Sequence, residues 1–70
     1  MSNKPKKIPY AKLKGLRAER GLFQADIAKI VGISDVSYQR REAGELDWHL
    51  TEMLILRRYF RISMDELFGD

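Results

Sequence analysis

Seventy residues are enough for one domain and no more, and a domain of that size buries only about 60% of its unfolded surface, so its core must be economical. The chain has no cysteine, which excludes a disulfide framework and a thiolate metal site and fits a reducing compartment. No apolar run approaches the roughly 20 residues of a membrane span, and no apolar stretch follows the N-terminal charges as in a secretory signal, so the expectation is a cytoplasmic protein without a membrane partner. The net charge of +3 is unevenly placed: residues 1–20 carry seven cations (Lys4, Lys6, Lys7, Lys12, Lys14, Arg17 and Arg20) against Glu19, while the other fifty carry six against nine acids. A basic end of this kind suits a polyanion, or is simply a solvated tail.

Residues 1–9 combine Ser2, Asn3, Pro5, Pro9 and three lysines and read as a flexible arm. Residues 10–70 then read as one helical domain. A first helix is expected over Tyr10–Arg20, with Tyr10, Leu13 and Leu16 on one face, Gly15 marking a close helix contact and Gly21 as stop. A second spans Gln24–Val31 with Ile27, Ala28 and Val31 inward, and Gly32 ends it. Ser34 is a strong N-cap for a third helix running to about Ala43, and Asp35 in its first turn complements the positive helix end. Asp47 would cap a fourth helix over Trp48–Tyr59, with Leu50, Met53, Leu54, Leu56 and Phe60 as its apolar face. Ser63 would cap a fifth, short helix, with Glu66 three residues on completing a capping box. No strand-like alternation and no internal repeat is present.

The stretch QADIAKIVGISDVSYQRRE carries the chemistry. Two helices joined by a turn of three or four residues need a small residue where they cross, which Ala28 supplies. They need a glycine of positive φ to begin the turn, which Gly32 supplies. Ile27, Val31, Ile33 and Tyr38 have the spacing to pack the pair together. The second helix of such a pair can lie in a major groove. On a helix starting at Asp35, the 3.6-residue period turns Asp35, Val36, Gln39 and Arg40 outward.

From about Tyr10 to Asp70 the chain resembles the lambda-repressor-like, Cro/CI-type helix-turn-helix family. LKGLRAERGLFQADIAKIVGIS is similar to that family's opening, and ISMDELFGD to its closing helix. The resemblance implies an all-α, five-helix domain that binds double-stranded DNA sequence-specifically, in the manner of phage, prophage or antitoxin repressors, as a homodimer on a two-fold site. It implies that Gln24 touches a DNA phosphate. It implies that Ser34, Asp35, Val36, Ser37, Gln39 and Arg40 form the reading face, and that Arg17 and Glu42 form a structural ion pair. Five positions depart from the pattern. Phe23 stands where a Thr or Ser cap is usual, and Arg41 where an apolar residue is usually buried, so its stem would lie along the core with its charge in water. Glu45 and Asp47 stand where basic residues are usual and would repel a DNA backbone, and Arg61 replaces a glycine.

Other chemistries find little support. His49 is the only histidine and has no clustered partner, so no metal or other cofactor is expected. Ser34, Ser37 and Ser63 have no histidine positioned to activate them, and no glycine-rich phosphate loop occurs, so neither an enzyme nor a small-molecule substrate is expected. Arg40 can bind guanine bidentately, and Asp35 can accept from cytosine or merely serve the helix dipole. Tyr38 reads as core. Ile30, Ile55 and Trp48 are apolar beyond the family pattern, and clustered on the surface they would mark a protein contact. The alternative is therefore a protein-interaction module that keeps the fold without strong DNA binding.

Overall fold

A computed structural model describes residues 10–69, so the expected arm at residues 1–9 lies outside the described residues. Five helices follow in order: α1 (Ala11–Glu19), α2 (Gln24–Val31), α3 (Asp35–Glu42), α4 (Leu50–Phe60) and α5 (Met64–Phe68). No strand occurs among the described residues. α2 packs most extensively on α3, α1 lies against α5, and α4 contacts both α2 and α5. Leu13, Ile27, Ala28, Val31, Tyr38, Leu56, Phe60 and Leu67 form the buried centre, one or more from each helix.

The turn between α2 and α3 forms for the reasons its residues suggest. Gly32 takes φ 87°, ψ 32°, a left-handed conformation that costs glycine little, and its N–H donates to the Ala28 carbonyl. Ser34 is extended, and its hydroxyl oxygen accepts from the Ser37 N–H at 3.1 Å. Ala28 is fully buried where the two helices meet.

Structure and expectation differ first at the start of α4. Helix α4 starts at Leu50 rather than Trp48, with His49 and not Asp47 in the cap position. Glu52 lies three residues on, and its carboxylate accepts the His49 N–H at 3.0 Å, which fixes the helix start there. Trp48, released from the helix, turns inward against Tyr38 and Phe68, with ring centroids 5.9 and 5.5 Å apart. Trp48 and Ile30 thus pack on the core and mark no surface contact. Leu50 and Leu54, expected inside, are exposed, because the inward face of α4 is taken by Leu56 and Phe60. The capping box of α5 is half made: the Ser63 hydroxyl accepts from the Glu66 N–H at 3.1 Å, but the Glu66 carboxylate takes the Ser63 hydroxyl at 3.4 Å rather than its N–H.

Arg41 is a further correction. Its charge is not in water: the side chain is 8% exposed, and its Nε lies 2.9 Å from Glu52 Oε1. The ion pair joins α3 to α4, whereas the charge was expected to reach water. Arg61 ends α4 at φ 60°, ψ 43°, where a non-glycine residue costs about 1–2 kcal/mol.

Gly15 does not mark a close contact. A methyl group there would meet nothing within 4 Å. Gly15→Ala should therefore gain the full difference in helix propensity, up to about 1 kcal/mol. Thermal unfolding reads it as a raised midpoint; a lowered one would mean that an unseen neighbour needs the space.

Candidate nucleic-acid interface

The site is built on α3, and its inner side decides what its outer side can do. Tyr38, Arg41 and Glu42 face inward, leaving Asp35, Val36, Gln39 and Arg40 exposed in two rows at i, i+4 spacing, with Val36 64% exposed. Ser34 is exposed at the cap, and Ser37 is half-buried, its N–H committed to Ser34.

Glu42 is the hub beneath this face. Its side chain is 4% exposed and accepts four hydrogen bonds. Arg17 donates from Nε to Oε2 at 2.9 Å and from Nη2 to Oε1 at 3.1 Å, the two-pronged geometry that a guanidinium fork suits. The Tyr38 hydroxyl donates to Oε2 at 2.7 Å and Gln24 Nε2 to Oε1 at 2.9 Å. Arg17 also donates to the Leu22 carbonyl at 3.0 Å, and the Tyr10 N–H donates to the Glu42 carbonyl at 2.9 Å. One carboxylate thus holds together α1, the start of α2 and α3.

The electrostatics follow. Burial pushes the Glu42 carboxyl up, but hydrogen bonds from Arg17, Tyr38 and Gln24 outweigh it and hold the group below the usual glutamate range. Arg17 is raised, chiefly by its hydrogen bond to Glu42. Burial first, and then the bond to Glu42, push the Tyr38 hydroxyl far up.

Gln24 opens α2 and lies where this hub meets the surface. Lys14, Gln24, Gln39, Glu42 and Ala43 line a depression of about 160 Å³. The N–H groups of Asp26 and Ile27 both reach back to the Phe23 carbonyl, whereas those of Gln24 and Ala25, at the helix start, have no carbonyl to reach within the helix. Gln24, the first residue of α2, and Lys14 border the same depression. Phe23 supplies no side-chain cap and is 76% exposed, but the Asp26 carboxylate accepts its N–H at 2.7 Å, so half of the lost cap is recovered.

The structure therefore brings Gln24 and Gln39 together around one depression, and sets Ser34, Asp35 and Val36 at the far end of the same exposed helix. The acidic loop divides. Glu45 Oε1 stands 3.7 Å from Arg40 Nε, with both side chains about half exposed, while Asp47 makes no ion pair among the described residues. Lys14 was not singled out in the sequence; its place one turn ahead of Ala18 on an exposed stretch of α1 gives no local sign that α2 and α3 converge on it. Among the described residues, no three His, Asp or Glu side chains are placed to hold a metal, and no helix is long and apolar enough to cross a membrane.

Comparison with known proteins agrees with this fold. A model of the helix-turn-helix family matches residues 13–67. Among solved structures, the chain is similar to a transcriptional regulator from Listeria innocua, at 28% identity and a TM-score of 0.81 over 87% of this chain. The match covers 57% of that regulator, so the chain spans little more than half its length. No curated protein matches the chain.

Proposed function

The chain belongs to the lambda-repressor-like, Cro/CI-type helix-turn-helix family, and from that premise we propose that it binds double-stranded DNA sequence-specifically as a transcriptional regulator. The observation that carries this reading is the depression at the start of α2, where Lys14, Gln24 and Gln39 meet beside the exposed row of α3. A DNA phosphate seated there is met by the Lys14 cation and the Gln24 amide. Gln24 is already held by Glu42 at 2.9 Å, which orients its amide before binding and leaves the second Nε2 hydrogen for a phosphate. With the backbone fixed at that point, α3 enters the major groove. Arg40 and Gln39 are then the groups that can bond to base edges, Val36 can pack on a thymine methyl, and Asp35 can accept from cytosine. Ser34 and Ser37 lie at the groove entrance, and Ser34 can reach the backbone. The residues 1–9 act as a basic arm that adds phosphate contacts.

The role is that of a repressor on a two-fold site, bound by two copies in the cytoplasm. This reading needs no cofactor and no catalytic residue. A protein-interaction role without DNA draws on one specific observation, the exposed apolar side of α4 formed by Leu50, Leu54, Ile55 and Tyr59.

The backbone contact is tested by salt dependence. Lys14→Ala should weaken binding to all duplex sequences alike and lower the slope of log affinity against log salt by about 0.9, the loss of one phosphate contact. Removing residues 1–7, with Lys4, Lys6 and Lys7, should lower it further. Unchanged slopes in both proteins would take these cations off the backbone.

A further inference from the structure

The C-terminal end of α4 collects cations that the fold does not use. Arg57 and Arg58 stand in its last turn, and Arg61 ends it. All three side chains are exposed, and none has an ion-pair or hydrogen-bond partner among the described residues. Cations at a helix C-terminus ordinarily answer its negative end. Here that role falls to α1: Arg20 donates from Nη2 to the Phe60 carbonyl at 3.1 Å, and its guanidinium lies 4.9 Å from the Phe60 ring centroid. Arg61 adds only its backbone N–H, which donates to the Arg57 carbonyl at 2.8 Å.

The three arginines share one cleft. With Ile62, Ser63 and Glu66 they line a space of about 600 Å³ between the end of α4 and the start of α5. The left-handed turn at Arg61 carries the chain from one helix into the other. Glycine makes such a turn at less cost; arginine makes it and adds a third guanidinium to the cleft. Three cations against the single Glu66 carboxylate repel one another until an anion enters.

We propose that this cleft binds a nucleoside di- or triphosphate. A guanidinium fork matches phosphate oxygens two at a time, and linked phosphates concentrate negative charge as the cleft concentrates positive charge. The volume falls within the roughly 300–1,000 Å³ of small-ligand sites, which leaves room for a nucleoside beyond the phosphates. Ile62, half-buried, offers it an apolar wall, and Ser63 and Glu66 offer oxygen acceptors to its hydroxyl groups. Glu66 also disfavours a bare inorganic anion, which brings no donor to its carboxylate. The backbone of a duplex held by α3 is poorly placed to fill the cleft. α3 meets α4 at Glu52, 2.9 Å from Arg41, and Arg61 lies about 13 Å farther along α4. Duplex phosphates are also single charges spread along an axis. Such a ligand binds without DNA, so this site and the DNA reading stand or fall separately.

Equilibrium dialysis of the whole chain against labelled adenosine triphosphate and guanosine triphosphate, in phosphate-free buffer of low ionic strength, tests this. At least one of the two should bind saturably, with pyrophosphate a weaker competitor and inorganic phosphate weaker still. Arg61→Gly should weaken binding about tenfold or more, the loss of one charge-assisted hydrogen bond. Its thermal midpoint should stay at or above the parent's, because glycine relieves the turn. Arg57→Gln with Arg58→Gln should abolish binding, with circular dichroism confirming the fold. Lys14→Ala and removal of residues 1–7, which take cations from the proposed DNA face, should leave it unchanged. No saturable binding of either triphosphate, an Arg61→Gly protein that binds like the parent, or a loss that follows residues 1–7 instead of the arginines would overturn the proposal. Pyrophosphate competing as well as the triphosphates would overturn it too, by reducing the cleft to a site for charge alone.

Discussion

Replacing Arg17 by methionine is expected to destabilise the domain by about 3–5 kcal/mol, because it leaves the Glu42 carboxylate buried without its cation. The Glu42 side chain is 4% exposed, and Tyr38 and Gln24 would remain as neutral donors. Those two bonds offset part of the loss but supply no countercharge. Glu42→Leu is the reciprocal change; it leaves the Arg17 guanidinium, the Tyr38 hydroxyl and the Gln24 amide without their common acceptor. The double variant should cost less than the sum of the singles, since neither charge is then left alone. Denaturant unfolding of the four proteins reads the coupling. Simple addition of the two single costs would mean that the hub is not energetically joined. In a domain this small, losses of that size are a large share of the total stability, so unfolding is best followed at low temperature and high salt of a stabilising kind.

The same hub sets an acid limit. The folded-state Glu42 carboxyl is lower than in the unfolded chain, so its contribution is fully present above the ordinary glutamate value near about 4.3 and is lost as pH falls through the lower folded value. Unfolding free energy should therefore drop with acidification below that point, and the drop should be shallower in Glu42→Leu.

Arg40→Ala is expected to weaken binding to the preferred duplex by about 1–3 kcal/mol and to relax preference at one base position. Arg40 lies on the exposed side of α3, one turn beyond Val36, and its one ion-pair partner among the described residues is Glu45 at 3.7 Å. A pair with both side chains about half exposed is worth at most about 1 kcal/mol, so Arg40 is released to a guanine at small cost. On the proposed reading Glu45 would compete with DNA for Arg40 as well as repel phosphate. Competition binding against a panel of single-base variants of the site reads the effect. A uniform loss across the panel would move Arg40 from base reading to the backbone, and no loss would remove it from the interface.

Which features were legible depended on how local their causes are. The bounds of α2, the left-handed Gly32 and the Ser34 cap follow from residues adjacent in sequence, and they stand where those residues place them. The Arg17–Glu42 pair, 25 residues apart, came from family resemblance and not from spacing. The other donors on Glu42 were not foreseen. Tyr38 was read as core, which it is, but a ring buried one turn before a glutamate also places its hydroxyl on that carboxylate. Arg41 was misplaced because its partner, Glu52, lies across a loop on another helix and only the fold brings the two together. The start of α4 was misread because Asp47 is the better intrinsic cap, whereas the glutamate three residues after His49 decides the matter. Leu50 and Leu54 show the limit of counting apolar residues: the helix has more of them than its inward face can hold.

The central claim is that α3 reads a duplex sequence, and selection of bound sites from a random double-stranded library tests it most directly. The account predicts enrichment of a motif with two inverted half-sites, their centres about one helical turn apart, containing a guanine whose selection disappears in Arg40→Ala. Recovery of unenriched sequence from a folded protein at low salt would contradict it, and would leave the fold as a scaffold for protein contact alone.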